Sequence, residues 1–569
     1  MKSANTLSRF WPILLFFGLV TIIIVGRLFS LQVVNGATYA RTAQNQYIHP
    51  NSGIFDRGSI FFSDRAGGMV AAATLSSGAT LIANGTKLVD AEGAYTALSK
   101  IITLEHDAFI EQVASKTDTY IEVTHHLTDD QAAAIKKLAL PGFSLEDERW
   151  RYYPGGSLAA STVGFVAYNG DDLTGRYGLE RYYNDVLSRS GDSSINFFAE
   201  VFGQVRDTVF ERKPREGNIV TTIEPSVQAA LDDSIKNVAL QWKPDLVGAI
   251  VMNPGNGEIY AMSVMPTFDL NHFGDVEDPA IFENPLVESV REMGSTIKPL
   301  VMAAGIDAGV VTPSTTYDDT GSVVINGSTI RNYDGKARGI VSMQEVLNQS
   351  LNVGMAFVSK KLGHDNMRSY LLNLGFGEET GIDLPNEIHG LVSNLNSPRD
   401  VEYATAAFGQ GIAITPIEAV RALAALGNGG LLVDPHLVKE IDYDALPATH
   451  MTPNPPERIF KQSTSEAITR MLVKVVDTKL GNGKVALPHY SIAAKTGTAQ
   501  IALPDGKGYY TDRYLHSFFG YFPAYDPQFI VFFYQVYPKG AQYASETLTT
   551  PFMNMAKFLI SYYQVPPDR

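Results

Sequence analysis

Three short runs in this chain carry side chains that could transfer an acyl group: Ser295-Thr296-Ile297-Lys298, Ser350-Leu351-Asn352 and Lys495-Thr496-Gly497-Thr498. A serine hydroxyl is a weak nucleophile and needs a base beside it. Lys298 stands three residues after Ser295, and at that spacing on a first helical turn the two side chains share a face. A lysine taken out of water gives up its proton more readily, and a helix start stabilises negative charge developing nearby. Ser350 and Asn352 place a hydroxyl and an amide two positions apart, able to bridge the lysine, a leaving nitrogen and a substrate carbonyl. Lys495 could bind a carboxylate, Gly497 would leave room, and the Thr498 backbone N–H could form an oxyanion hole with that of Ser295. Each run alone is a weak signal, since Ser3-Ala4-Asn5 and Ser194-Ile195-Asn196 also have the second pattern. The weight lies in their order, their wide separation and the context each requires.

Those contexts are present. Gly294 precedes the serine and permits close approach of a substrate backbone, while Pro299 and the apolar run from Leu300 to Ala308 follow as a helix. Ile492 to Ile501 reads as a strand, and at a sheet edge it could pair with an extended peptide. Val220 to Ile223 reads as a strand and Ser226 to Trp242 as an amphipathic helix, with Val227, Leu231, Ile235 and Leu240 on one face. Val247–Met252 and Glu258–Val264 form a hairpin around Asn253-Pro254-Gly255-Asn256-Gly257, whose residues tolerate the turn. Phe518 to Tyr537 alternates strongly and reads as core strands. From Asn35 to about Lys213 the texture differs. Short strand-like runs (Ala79–Ala83, Tyr120–Thr124) precede a helix-like Asp129–Leu138 between turns, and arginine-centred motifs at Arg57, Arg151 and Arg176 read as turns and buried ion pairs of a scaffold. His125-His126 lacks partners at metal-ligand spacing and reads as a strand end.

The chain has 569 residues and a formal net charge of −15, with no cysteine. That charge argues against nucleic acid, which needs clustered Lys and Arg. The missing thiols exclude disulfides, thiolate nucleophiles and cysteine-based zinc sites. Lys2 and Arg9 precede an apolar run from Phe10 to about Gly26, extended past Arg27 to Val34. That length can cross a hydrocarbon core of about 30 Å. Basic residues ahead of it and no acid until well after it orient the N-terminus to the cytoplasm. An uncleaved anchor is expected over residues 11–34, with residues 1–10 cytoplasmic and the rest beyond the membrane; the competing reading is a cleaved signal peptide, for which Thr38-Tyr39-Ala40 is a poor cleavage site.

At these motifs the chain resembles the class B penicillin-binding proteins, and the resemblance runs along nearly its whole length. Arg27-Leu28 with Leu31-Gln32-Val33 is similar to that family's anchor exit. Arg57-Gly58-Ser59-Ile60, the Arg65-to-Gly67 turn, Tyr153-Pro154 and Gly178-Leu179-Glu180 are similar to its pedestal. Gly409-Gln410-Gly411 leading to Thr415-Pro416, Asn428-Gly429-Gly430 and His516–Pro523 are similar to stretches of its catalytic domain. Arg291-Glu292-Met293-Gly294 departs from the family's usual Tyr-Glu-Pro-Gly and spares the nucleophile. The resemblance implies an α+β chain: a single N-terminal transmembrane helix, an elongated α+β pedestal (dimerisation-type) domain over 35–213, and a transpeptidase domain over 214–569. The last would share the penicillin-binding and serine β-lactamase fold, an antiparallel sheet with helices on both faces.

What the resemblance implies chemically is D,D-transpeptidation of peptidoglycan stem peptides ending in D-Ala-D-Ala, with no metal or organic cofactor. Ser295 would be acylated with release of the last D-Ala, Lys298 would take its proton, Ser350 would relay protons and Asn352 would hold the donor. Lys495, Thr496 and Thr498 would bind the terminal carboxylate and line the oxyanion site beside Gly497. β-Lactams would acylate the same serine. Tyr317 to Gly321, Ile325 to Gly327 and Glu345 to Gly354 look more like the division type than the elongation type. The resemblance also implies a multi-spanning membrane glycan polymerase and other cell-division proteins as partners. A bifunctional glycosyltransferase would need a glutamate-rich polymerase domain after the anchor, and a class A β-lactamase a Glu-x-x-Leu-Asn element between the second and third motifs; neither pattern is present. A membrane-anchored β-lactam-binding sensor and a catalytically inactive division scaffold are the alternatives that keep the motifs.

Overall fold

The computed structural model describes residues 55–169, 172–189, 215–504 and 508–569. The expected anchor lies outside these residues, as does the expected boundary at 213 and 214. Among the described residues no helix is long and apolar enough to cross a membrane.

The chain divides into two compact units. The described core of one is Ser77–Arg149, where helices Ala91–Leu98, His106–Val113 and Asp129–Leu138 pack with strand Ile121–Leu127 and the end of strand Met69–Ala83. Thr128 caps the third helix and Gln131 reaches back to it, closing a reciprocal capping box. Leu81, Leu98, Phe109, Val113 and Leu127 fill the interior. His125 and His126 lie on the strand, each within ion-pair distance of Glu148, at 3.2 and 3.6 Å.

The second unit comprises Arg57–Ser76, Trp150–Arg189 and the chain from residue 215 onward. From residue 215 its first elements are strand β1 (Gly217–Thr221) and helix α1 (Pro225–Trp242). Pro225 opens the helix, and the Glu224 carboxylate accepts from the Val227 N–H at 2.7 Å. β2 (Leu246–Met252) and β3 (Ile259–Met265) form the expected hairpin. α2 (Lys298–Asp307), the short hairpin β4 (Ser322–Ile325) and β5 (Ser328–Arg331), α3 (Asn352–Asn373), α4 (Pro416–Ala424) and α5 (Gln462–Thr478) follow. β6 (Ala493–Ala502), β7 (Tyr509–Phe522), β8 (Phe529–Val536) and α6 (Thr549–Tyr563) complete the chain.

The main sheet is antiparallel throughout, in the order β6-β7-β8-β2-β3. Its inner strands are apolar on both faces because helices cover both. On one face Val227, Leu231 and Ile235 of α1 and Phe552, Met555 and Leu559 of α6 pack in one cluster with Val247, Ala249, Val251, Phe518 and Phe533 of the strands. On the other face Leu300 and Val301 of α2, Val420 of α4 and Leu472 of α5 pack in the cluster that holds Ile250, Phe519 and Phe532.

The arginine motifs meet in this unit. Glu180 is fully buried and accepts Arg57 Nε on one carboxylate oxygen and Arg151 Nε on the other, both at 2.6 Å. Arg57 also donates to the Glu180 carbonyl at 2.8 Å, and Arg151 to the Gly58 carbonyl at 2.7 Å. These are the turns and buried ion pairs expected of a scaffold.

Candidate active site

Ser295, the candidate nucleophile, sits on a turn tighter than the expected helical one. Gly294–Thr296 is a 3-10 turn, and α2 begins only at Lys298. Residues i and i+3 eclipse in that geometry, so Ser295 and Lys298 still share a face. Gly294 has φ +62, a conformation that favours glycine. A Cβ there would lie 3.0 Å from the Thr498 carbonyl oxygen. Gly294 therefore allows the close approach of strand β6. Gly497 answers it from the strand: a Cβ at this position would lie 2.3 Å from Ser517 Oγ and 2.7 Å from the Met293 carbonyl oxygen. Ser517 fills that space, donating to the Met293 carbonyl at 2.8 Å.

Lys298 is fully buried and Lys495 nearly so, at 4% exposure. Lys298 Nζ lies 2.6 Å from the Ser350 carbonyl, 2.8 Å from Asn352 Oδ1 and 3.1 Å from Ser350 Oγ. Lys495 Nζ approaches the same hydroxyl at 3.1 Å and donates to the Thr496 carbonyl at 2.9 Å. Ser350 reaches this position with φ +55, in the left-handed region that non-glycine residues seldom occupy. Asn352 is the first residue of α3, and its Nδ2 donates to the Arg331 carbonyl at 2.9 Å. One amide hydrogen of Asn352 is thus used within the protein, and the second remains for a ligand.

Burial, and then the positive charge of Lys495, hold the Lys298 ammonium well below its ordinary pKa. Burial also pulls Lys495 down, to about 7. The nitrogens share one hydroxyl, so they stand no more than about 6 Å apart, where two like charges repel by about 3 kcal/mol at an effective dielectric near 20. Lys298 gives up its proton first. A neutral amine has two N–H groups and one lone pair. The Ser350 carbonyl and Asn352 Oδ1 take the two N–H groups, which leaves the lone pair for a hydroxyl proton. Ser350 Oγ, at 3.1 Å, is the hydroxyl within reach of that lone pair, while Ser295 Oγ makes no hydrogen bond among the described residues.

Ser295 borders a cleft of about 1010 Å³ that is also lined by Ser350, Asn352, Lys495, Thr496 and Thr498 among others. Among the described residues β6 pairs only with β7 and is an edge of the sheet, as expected. The structure therefore gathers every candidate residue except Lys298 and Gly497 onto the cleft wall, with those two immediately behind it. Sequence reasoning missed the supports. Glu292 Oε1 accepts from the Gly411 N–H at 2.7 Å and the Tyr509 hydroxyl at 3.0 Å, tying the nucleophile turn to two other segments. Gly409 lies so close to Gly294 that a Cβ would meet its carbonyl oxygen at 2.2 Å. The Glu292 tie was hidden because Gly411 and Tyr509 are distant in sequence; only the repeated glycines of Gly409-Gln410-Gly411 hinted at a close backbone approach.

Residues 247–556 match the family described as the penicillin binding protein transpeptidase domain, and residues 55–222 match the penicillin-binding protein dimerisation domain. Stage V sporulation protein D of Bacillus subtilis is 31% identical over 565 residues, covering 97% of this chain and 85% of the relative. Peptidoglycan D,D-transpeptidase FtsI of Escherichia coli is 27% identical over 460 residues, covering 80% of this chain and 75% of the relative. The crystal structure of penicillin binding protein 3 from Mycobacterium tuberculosis, complexed with aztreonam, superposes with a TM-score of 0.68 at 24% identity. That match covers 91% of this chain and 98% of the other, and it shows a shared fold.

Proposed function

This chain belongs to the penicillin-binding protein transpeptidase family, and from that premise we propose that it is a septal peptidoglycan D,D-transpeptidase acylated at Ser295. The observation that carries the reading is the pair of buried lysines converging on Ser350 behind the nucleophile turn, in a cleft flanked by an edge strand. Lys298 takes the Ser295 proton as Oγ attacks the carbonyl between the two terminal D-alanines. The C–N bond breaks, and the departing amine receives a proton relayed through Ser350. An amine of a second stem then attacks the ester, forms the new amide and returns a proton to Ser295. Asn352 holds the donor with its remaining N–H. Lys495 and Thr496 bind the terminal carboxylate, and the N–H groups of Ser295 and Thr498 receive the oxyanion. A bound carboxylate also favours the charged form of Lys495, which matters for a group whose pKa in the empty cleft is about 7.

Residues 11–34 anchor the chain in the membrane in this proposal, with 35–213 as pedestal and 214–569 as the catalytic domain beyond the membrane. A multi-spanning glycan polymerase and other division proteins are its partners. The test is covalent labelling of the full chain in detergent with a fluorescent penicillin, beside Ser295→Ala. Stable labelling of the wild type alone is expected. Rapid loss of label would indicate a β-lactamase, and no labelling of folded protein would leave an inactive scaffold.

A further inference from the structure

Ser350 stands where a glycine is usual. The short helix Met343–Asn348 ends with Gln349 as its cap, and the chain then turns back on itself. The Leu351 N–H donates to the Val346 carbonyl at 3.0 Å and the Ser350 N–H to the Leu347 carbonyl at 3.4 Å, with Val346 and Leu351 both fully buried. This is a Schellman termination, whose left-handed residue is most often glycine. Here it is Ser350, at φ +55. That conformation sets the Ser350 carbonyl and hydroxyl against Lys298 and the same hydroxyl against Lys495. A left-handed serine is less favourable than a right-handed or extended one, and it persists only while its surroundings fix it.

Part of that fixing is polar. Gln349, on the cleft wall, is clamped through both ends of its side-chain amide. Arg338 Nε donates to its Oε1 at 3.2 Å, and its Nε2 donates to Glu345 Oε2 at 2.8 Å. Each jaw of the clamp is itself held. The Asp334 carboxylate accepts both terminal nitrogens of Arg338, at 2.7 and 2.8 Å, in the loop that follows β5. Glu345 Oε1 accepts from Asn348 Nδ2 at 2.7 Å, and Glu345 Oε2 lies 3.9 Å from Lys479 Nζ. None of these residues has a part in the acyl transfer itself. Releasing the Gln349 amide would free the peptide unit ahead of Ser350, let the serine leave its left-handed conformation, and take its carbonyl and hydroxyl away from the lysines.

We infer that Gln349 is a positioning residue for the acyl transfer, which acts by holding Ser350 left-handed between the two lysines. This inference rests on the transpeptidase reading above.

The test follows fluorescent-penicillin labelling of the full chain in detergent, counted per folded molecule. Gln349→Glu keeps the acceptor for Arg338 but sets a second carboxylate against Glu345. It should slow acylation about tenfold, the scale of one hydrogen bond to a charged group. Adding Glu345→Gln restores the donor and the net charge. The exchanged pair should therefore return to within about threefold of the wild type, the coupling expected of residues in contact. The dependence of rate on penicillin concentration should place the loss in the acylation step and leave the noncovalent affinity unchanged. Gln349→Met keeps the length but neither hydrogen bond; it should be slowed to a similar degree, and it covers the case in which facing carboxylates unfold the turn. An exchanged pair as slow as Gln349→Glu, a wild-type rate in Gln349→Met, or a loss confined to affinity overturns the inference and leaves the transpeptidase reading intact. No labelling of the wild type overturns both.

Discussion

Two clusters of buried charge lie in the same compact unit and behave in opposite ways. Arg57, Arg151 and Glu180 form a compensated set, in which one carboxylate receives two guanidinium groups and backbone carbonyls take further donors. Lys298 and Lys495 are equally buried but have no carboxylate within ion-pair distance among the described residues. The first cluster has every reason to stay as it is. The second relieves its repulsion by losing a proton, and a lysine without its proton is a base. Burial creates reactivity here because compensation is withheld.

The largest effect is expected at the base. Lys298→Met should slow penicillin acylation by about 10²- to 10⁴-fold, the scale of a lost general base. The same change removes a buried amine that lacks a counterion, and the Ser350 carbonyl and Asn352 Oδ1 left without its N–H groups offset part of the benefit, so the fold should gain no more than about 1 kcal/mol. Labelling kinetics and a thermal melt on one preparation check both, and a lower melting temperature would contradict the contrast between the two clusters.

Glu180→Gln is the converse. It leaves two buried guanidinium groups without their carboxylate and should cost about 3–5 kcal/mol of stability. Urea unfolding measures the loss, while the labelling rate per folded molecule should hold. A neutral outcome would mean that the carbonyl acceptors suffice to satisfy the arginines.

The smallest effect is on pH dependence. Lys298 is active when neutral, so acylation falls as acid protonates it. Lys495 is useful when charged, so kcat/KM falls again as pH rises through about 7, where it loses its proton in the empty cleft. The alkaline limb should lower kcat/KM by about tenfold per pH unit above that point. It should be weaker in kcat, because the bound carboxylate keeps Lys495 charged. A profile that keeps rising through pH 9 would separate Lys495 from carboxylate binding.

Much of the site was legible because its chemistry is carried by residue types at short, fixed spacing. Ser295 with Lys298, Ser350 with Asn352, and the Lys495–Thr498 strand are each weak signals alone, and their order, separation and local context made them legible together. Legible too were the hairpin of β2 and β3, where Asn253 and Gly257 supply the turn, and α1, whose apolar stripe faces the sheet. Leu240, expected on that stripe, is instead 67% exposed. The buried line runs from Ile235 through Val238 to the partly buried Trp242, and a residue two positions past Val238 points to the opposite side of the helix. The support of Glu292 was not legible, since it depends on Gly411 and Tyr509, 119 and 217 residues away.

Residue types and their order were enough to say which groups could act: a serine, two lysines, a hydroxyl and an amide, in an arrangement that identifies the family. Packing settled what those groups became. It gave the two lysines one shared hydroxyl and, among the described residues, no counterion, and let Gly294 and Gly497 make room for each other's strand and turn. Local pattern sets side-chain identity and direction along an element. Burial, close backbone approach and the lack of a compensating charge are properties of surroundings, which a chain acquires only when distant segments pack together.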